Sequence, residues 1–187
     1  MKNIEWKKQK HHILKSETIE LVPVTEEDMN FICIEETDVK LWQYEEYVEN
    51  DKQCILKKFT DRIEQDNVFD FIVKRISDGE PIGVVYIWKY GVNRKSWEIG
   101  YAILPKYQGN GYCLESVKQL LSFAFEELDA HKVVGMCHCD NLKSAAVMQK
   151  VGMSRQGIFR EEYLCQGKWV DQFYFSILEL EYNNKRI

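Results

Sequence analysis

The residues with the plainest chemical meaning are Gln108-Gly109-Asn110-Gly111-Tyr112-Cys113, placed between a strand-like run and a strongly amphipathic one. Glycines at 109 and 111 let the backbone approach a ligand closely and turn successive N–H groups into one concavity. A helix starting directly behind them adds unpaired N–H groups and a positive dipole end, which suits a phosphate or pyrophosphate. Asn110-Gly111 also reads as a two-residue hairpin turn. A hairpin needs a strand after it, however, and residues 114–128 repeat at helical spacing, with Val117, Leu120, Leu121, Ala124 and Leu128 on one stripe.

Three further groups carry titratable or ligating chemistry. Glu98 lies in a strand-like run in which Glu98, Gly100 and Ala102 point one way and Trp97, Ile99, Tyr101 and Ile103 the other. Small residues beside a carboxylate leave space for a ligand; the alternative is a solvated or salt-bridged glutamate. Cys137-His138-Cys139 lacks the ligand number and spacing of a zinc site, so no metal is expected. These read as strand residues, with His138 a core histidine beside Val134 and Met136 rather than a catalyst. The stretch Trp42–Asp51 sets Glu45, Glu46, Glu49 and Asp51 among Trp42, Tyr44 and Tyr47. Carboxylates beside aromatic faces suit a cation; a solvated acidic surface is the plainer reading.

Elements of ordinary kinds would position these groups. A strand is expected over 18–24, then a helix capped by Thr25 with Asp28 three places on and Met29, Ile32 and Cys33 inward. A second helix over 52–65 would bury Ile55, Leu56, Phe59 and Ile63. Strands follow over 69–76, 82–88 and 97–103, then the helix over 112–128 and a strand over 132–139. Asn141 caps a fourth helix that Gly152 closes, and two strands flank the turn Gln166-Gly167. The mixture is α+β with a mostly antiparallel sheet.

The 187 residues suit one domain, 15–187, behind a basic arm, 1–14; the basic stretch there holds Lys2, Lys7, Lys8, Lys10 and, at the domain's first residue, Lys15. A net charge of −5 disfavours a nucleic-acid partner. The charged start is no secretory signal, and no run reaches the ~18 apolar residues of a membrane span. A cytoplasmic protein is expected, with no membrane partner and with its six cysteines reduced.

The loop resembles the acyl-CoA signature of the GNAT superfamily of N-acetyltransferases, Q-x-x-G-x-[G/A], with Cys113 where the family has Gly or Ala. Trp97-Glu98-Ile99-Gly100-Tyr101 resembles the strand before that loop, and Asn141-Leu142-Lys143-Ser144 with Val151-Gly152-Met153 resembles the helix after it. Gly167-Lys168-Trp169-Val170-Asp171 and Tyr174 resemble the final hairpin of the RimJ/RimL-like branch, which modifies ribosomal-protein N-termini. The resemblance covers about Lys15 to Leu180. It implies the GNAT fold, a mostly antiparallel central sheet with helices on both faces, and acetyl-CoA as co-substrate without a metal.

By the same resemblance, the acetyl group passes directly to a primary amine through a tetrahedral intermediate. The backbone of Ile103 and Leu104 would hold the pantetheine arm, and a backbone N–H near Ile103 would polarise the thioester carbonyl. Gln108, Gly109, Asn110, Gly111, Tyr112 and Cys113 would hold the pyrophosphate. Asn141 belongs to the same cofactor site or is simply the helix cap. Glu98 is the candidate base, and Ser144 either protonates the thiolate or is an ordinary first-turn serine. Trp42, Glu45 and Glu46 would meet the amine. The acceptor is a protein N-terminus, or a small amine such as a polyamine or amino-antibiotic, or absent in a non-catalytic acyl-CoA-binding module. The protein is expected as a monomer or homodimer.

Overall fold

A computed structural model describes residues 11–91 and 93–184. The lysines of the basic arm at 2, 7, 8 and 10 lie outside the described residues. Eight strands form one sheet: β1 (Leu14–Lys15), β2 (Ile19–Pro23), β3 (Val68–Arg75), β4 (Pro81–Lys89), β5 (Ser96–Ile103), β6 (Lys132–His138), β7 (Ser154–Cys165) and β8 (Lys168–Leu178). Their order is β1-β2-β3-β4-β5-β6-β8-β7, and β5 with β6 is the parallel pair in an otherwise antiparallel sheet. Leu14, placed with the arm from sequence, is instead the buried first residue of β1.

Each face carries helices. On one, α1 (Met29–Glu36) and α2 (Lys52–Glu64) bury Met29, Ile32, Cys33, Ile55 and Phe59 against Ile72, Val84, Tyr86 and Ala102. On the other, α3 (Tyr112–Ser122) and α4 (Leu142–Lys150) bury Val117, Leu120, Leu121, Ala145 and Met148 against Phe71, Val85, Ile99 and Val133. Burying one such aliphatic or aromatic side chain stabilises the fold by roughly 1.5–3 kcal/mol. A short α5 (Glu179–Asn184) follows β8.

Local chemistry explains most boundaries. Asp28 accepts from both the backbone N–H and the hydroxyl of Thr25 at 2.9 Å, which starts a turn of 3₁₀ helix ahead of α1. Asp51 caps α2 by accepting from the Gln53 N–H at 2.8 Å. Two expectations change. Leu56 is 38% exposed, on the outer flank of α2. The helix expected over 112–128 remains α-helical only to Ser122 and then widens into a π turn at Phe123–Glu127. The Leu128 N–H there reaches back to Phe123, and Leu128 still lands on the buried stripe.

Candidate active site

The sheet opens at its parallel pair. Ser96, Trp97 and Glu98 pair with Lys132, Val133 and Val134, and there the pairing stops. Beyond it, β5 stays on β4 as far as Ile103 and β6 stays on β8 as far as His138. The two strands therefore diverge from Glu98 onward and leave a wedge of unpaired backbone. Leu104 donates to the Ile82 carbonyl at 2.9 Å and its own carbonyl takes the Tyr107 N–H. Alternation along an antiparallel ladder then turns the backbone groups of Tyr101 and Ile103 toward the wedge. The expectation for Leu104 is corrected accordingly: both of its backbone groups are engaged, whereas the Tyr101 backbone and the Ile103 N–H face the wedge.

Past β5, Gln108 donates its side-chain amide to the Ile103 carbonyl at 2.9 Å, and Asn110 donates to the Tyr107 and Gln108 carbonyls at 3.0 and 3.3 Å. These two side chains hold the loop rather than reach out of it. Gly109 and Gly111 both have φ of +85°, a left-handed conformation that a residue with a Cβ adopts only under strain. A Cβ at either would meet nothing within 4 Å, so the space above the loop is open. Gly111 is the N-cap of α3 and supplies no side-chain acceptor, so no cap competes for the first-turn N–H groups. Lys143, in the first turn of α4, brings its Nζ to 3.4 Å from Gln108 Oε1. An open glycine concavity, an uncapped helix start and a cation fit a pyrophosphate. Cys113 sits beside them with its thiol pushed up to about 12 by burial, hence protonated and unsuited to attack.

Across the wedge, Asn141 accepts from the Ser144 N–H at 3.1 Å and so caps α4. Ser144 Oγ lies 2.9 Å from the Tyr101 hydroxyl. On the opposite face of β5, Glu98 is half-buried and its carboxyl is pushed up to about 7 by burial, opposed by a hydrogen bond from Trp88. The space expected over Gly100 is not empty: a Cβ there would lie 3.3 Å from the Trp88 ring and 3.4 Å from Tyr86. Trp88 thus serves both residues: its ring walls Gly100, and it hydrogen-bonds Glu98.

The loop between α1 and α2 folds over this same face. The Trp42 indole donates to the Glu35 carbonyl at 3.0 Å and packs on the α1/α2 core, so it anchors the loop. Tyr44, which the sequence placed among several aromatics, lies 5.2 Å from the His138 ring, and its carbonyl accepts from the Tyr163 hydroxyl at 2.7 Å. His138 is buried and accepts the Asp140 N–H at 2.9 Å through Nδ1. Glu45 reaches solvent, yet its carboxyl is raised, first by desolvation and then by Glu36. Glu46 is exposed and Glu36 is nearly buried, taking Lys58 at 2.7 Å and the Tyr86 hydroxyl at 3.1 Å. Beneath them Glu35 is wholly buried, and burial holds its carboxyl well above the usual range. Among the described residues no group of His, Cys, Asp and Glu could hold a metal, and no helix is long and apolar enough to cross a membrane.

A profile of the Acetyltransferase (GNAT) domain matches residues 18–154. An uncharacterized N-acetyltransferase of Bacillus subtilis, YnaD, is 33% identical over 127 residues, 68% of this chain and 74% of that protein. The putative ribosomal N-acetyltransferase YdaF of the same organism is 32% identical over 58% of this chain and 60% of its own length. Among solved structures, a GNAT-family acetyltransferase from Bacillus anthracis superposes with a TM-score of 0.81 at 24% identity, over 90% of this chain and 99% of that one. Spermidine N-acetyltransferase from Vibrio cholerae, solved with CoA and spermine, superposes at 0.79 with 22% identity, over 89% and 98%. With the diverging strands and the glycine loop at their junction, these matches lead to one conclusion: the chain belongs to the GNAT family of N-acetyltransferases, enzymes that use acetyl-CoA.

Proposed function

We propose that this cytoplasmic enzyme moves the acetyl group of acetyl-CoA directly to the primary amine of a cationic acceptor, with Glu98 as the base. One observation carries the reading: a carboxyl that titrates near 7 stands where β5 and β6 part, on the face covered by the acidic loop. An N-terminal ammonium near its reference of ~7.7–8.0, or a lysine-like one near ~10.4, must lose a proton before it attacks, and a base titrating near neutrality is suited to take it.

The N–H groups from Gly109 through Cys113 bind the pyrophosphate, and Lys143 adds charge beside it. The Ile103 N–H and the Tyr101 backbone offer the pantetheine arm the main-chain bonds of an added strand, and a wedge N–H polarises the thioester carbonyl. Asn141 fixes the start of α4, and Ser144 presents its hydroxyl to the departing sulfur. Trp42 holds the acceptor loop in place, while Glu45, with Glu46 farther out, attracts the cation.

The acceptor on this reading is a protein N-terminal amine, as the resemblance to the ribosomal branch implies. A small polycation is the second reading, favoured by the carboxylates of Glu36 and Glu45 beside Tyr86 and Tyr44. A thiol-release assay with acetyl-CoA against N-terminal peptides and polyamines tests both. We expect turnover with one class and little with the other. No turnover on either panel, with CoA still bound, would mark a non-catalytic acyl-CoA-binding module.

A further inference from the structure

β5 and α4 meet through the Tyr101 side chain. Tyr101 leaves β5 on the α3/α4 side, opposite to Glu98, and its hydroxyl lies 2.9 Å from Ser144 Oγ and 3.1 Å from the Ser144 carbonyl oxygen. We propose that Tyr101 is a positioning residue for the departing thiolate: its hydroxyl donates to Ser144 Oγ and so turns the Ser144 proton away from Tyr101, into the wedge where the sulfur leaves. This rests on the acetyl-CoA reading above and adds a residue to it.

A phenol has one proton, and a serine hydroxyl has one proton and two lone pairs. Desolvation raises the Tyr101 phenol, so it stays protonated and able to donate at any pH of interest. The Ser144 carbonyl can only accept, so the phenol proton is directed at that carbonyl at 3.1 Å and, in a three-centre donation, at Ser144 Oγ at 2.9 Å. Once that oxygen accepts from Tyr101, its own proton must point elsewhere. The Ser144 backbone is already fixed by Asn141 through the 3.1 Å cap. The other neighbour of the hydroxyl is the Cys137 sulfur, which it hydrogen-bonds. Thus the serine already faces one sulfur, and rotation about its C–O bond exchanges that sulfur for a thiolate in the wedge.

In the transfer, the acceptor's ammonium first loses one proton through Glu98 to solvent; the free amine nitrogen then bonds to the carbonyl carbon and gives a second proton to Glu98. The C–S bond then breaks and its electron pair stays on sulfur. Ser144 donates a hydrogen bond to that thiolate, and Tyr101 keeps its proton throughout. The proton held by Glu98 returns through solvent to the thiolate, so the balance closes on amide and CoA thiol with the enzyme restored.

The test follows the thiol itself. CoA labelled with ¹³C in its cysteamine carbons is titrated by NMR while bound to wild type, Tyr101→Phe, Ser144→Ala and Ser144→Thr. In wild type and Ser144→Thr the bound thiol should ionise below free CoA. In Tyr101→Phe and Ser144→Ala the midpoint should rise by about one pH unit and kcat should fall about tenfold, with acetyl-CoA affinity within about twofold. If Tyr101→Phe titrates and turns over like wild type, the proposal is wrong whatever Ser144→Ala does. If Tyr101→Phe instead loses acetyl-CoA affinity, Tyr101 is a strut between β5 and α4 and the proposal also fails. Wild type that binds no CoA would overturn the acetyl-CoA reading beneath it.

Discussion

The two sides of the wedge are built in different ways. On the α3 side, the cofactor loop is a single stretch of chain, Gln108 to Cys113, and its working groups are backbone N–H groups above two left-handed glycines. On the α1/α2 side, the acceptor wall gathers Glu36, Tyr44, Glu45, Glu98, His138 and Tyr163 from five separate parts of the chain. A site of backbone groups depends on conformation and tolerates many side chains around it. A site of distant side chains depends on the packing that brings them together and on the burial that sets their ionisation. The first should therefore fail through a glycine and the second through a charge.

The largest effect is expected at Glu98. Its carboxyl is raised, so the basic form accumulates as pH rises through about 7 and activity at saturating amine should climb with it. Glu98→Gln should lower kcat/KM by roughly 10²-fold and flatten that acidic limb, while acetyl-CoA binding stays intact. Wild-type rates across the pH range in this variant would remove Glu98 from the chemistry and leave the acceptor side without its base.

Gly111→Asp probes the other side. Aspartate tolerates a left-handed φ better than most residues, so the fold should survive. Its carboxylate would stand in the open space over the loop and oppose a pyrophosphate. Calorimetry should register at least a tenfold loss of CoA affinity, about 1.4 kcal/mol. An unchanged Kd would break the assignment of the loop.

The smallest effect separates two neighbouring glutamates. Reversing both Glu45 and Glu46 to lysine should raise KM for the amine several-fold, more so at low salt, and leave KM for acetyl-CoA alone. Desolvation and Glu36 act on Glu45, and Glu46 is exposed, so the single change Glu45→Lys should account for most of it. Equal amine KM values for Glu45→Lys and wild type would reduce the acidic loop to surface.

What the sequence determined by itself is local. The stripe behind Gly111 announced α3, Thr25 with Asp28 and, farther on, Asn141 announced helix starts, and strand alternation put Glu98 on the opposite side from Tyr101. Each depends on neighbours within a few positions, where periodicity and capping operate. Contacts across the chain were not legible in this way. Nothing near Leu104 in sequence says that Ile82 takes its N–H, and nothing near Tyr44 points to Tyr163, 119 positions away. The Leu56 face and the π turn at Phe123 likewise depend on what packs against them. The tertiary structure alone decided that β5 and β6 part at Glu98, which wedge backbone groups stay free, and that Trp88 and Tyr86 fill the side of Gly100. The reason is physical: a hydrogen bond or a desolvated carboxyl is fixed by whatever lies within a few ångströms, and only the fold chooses that neighbour.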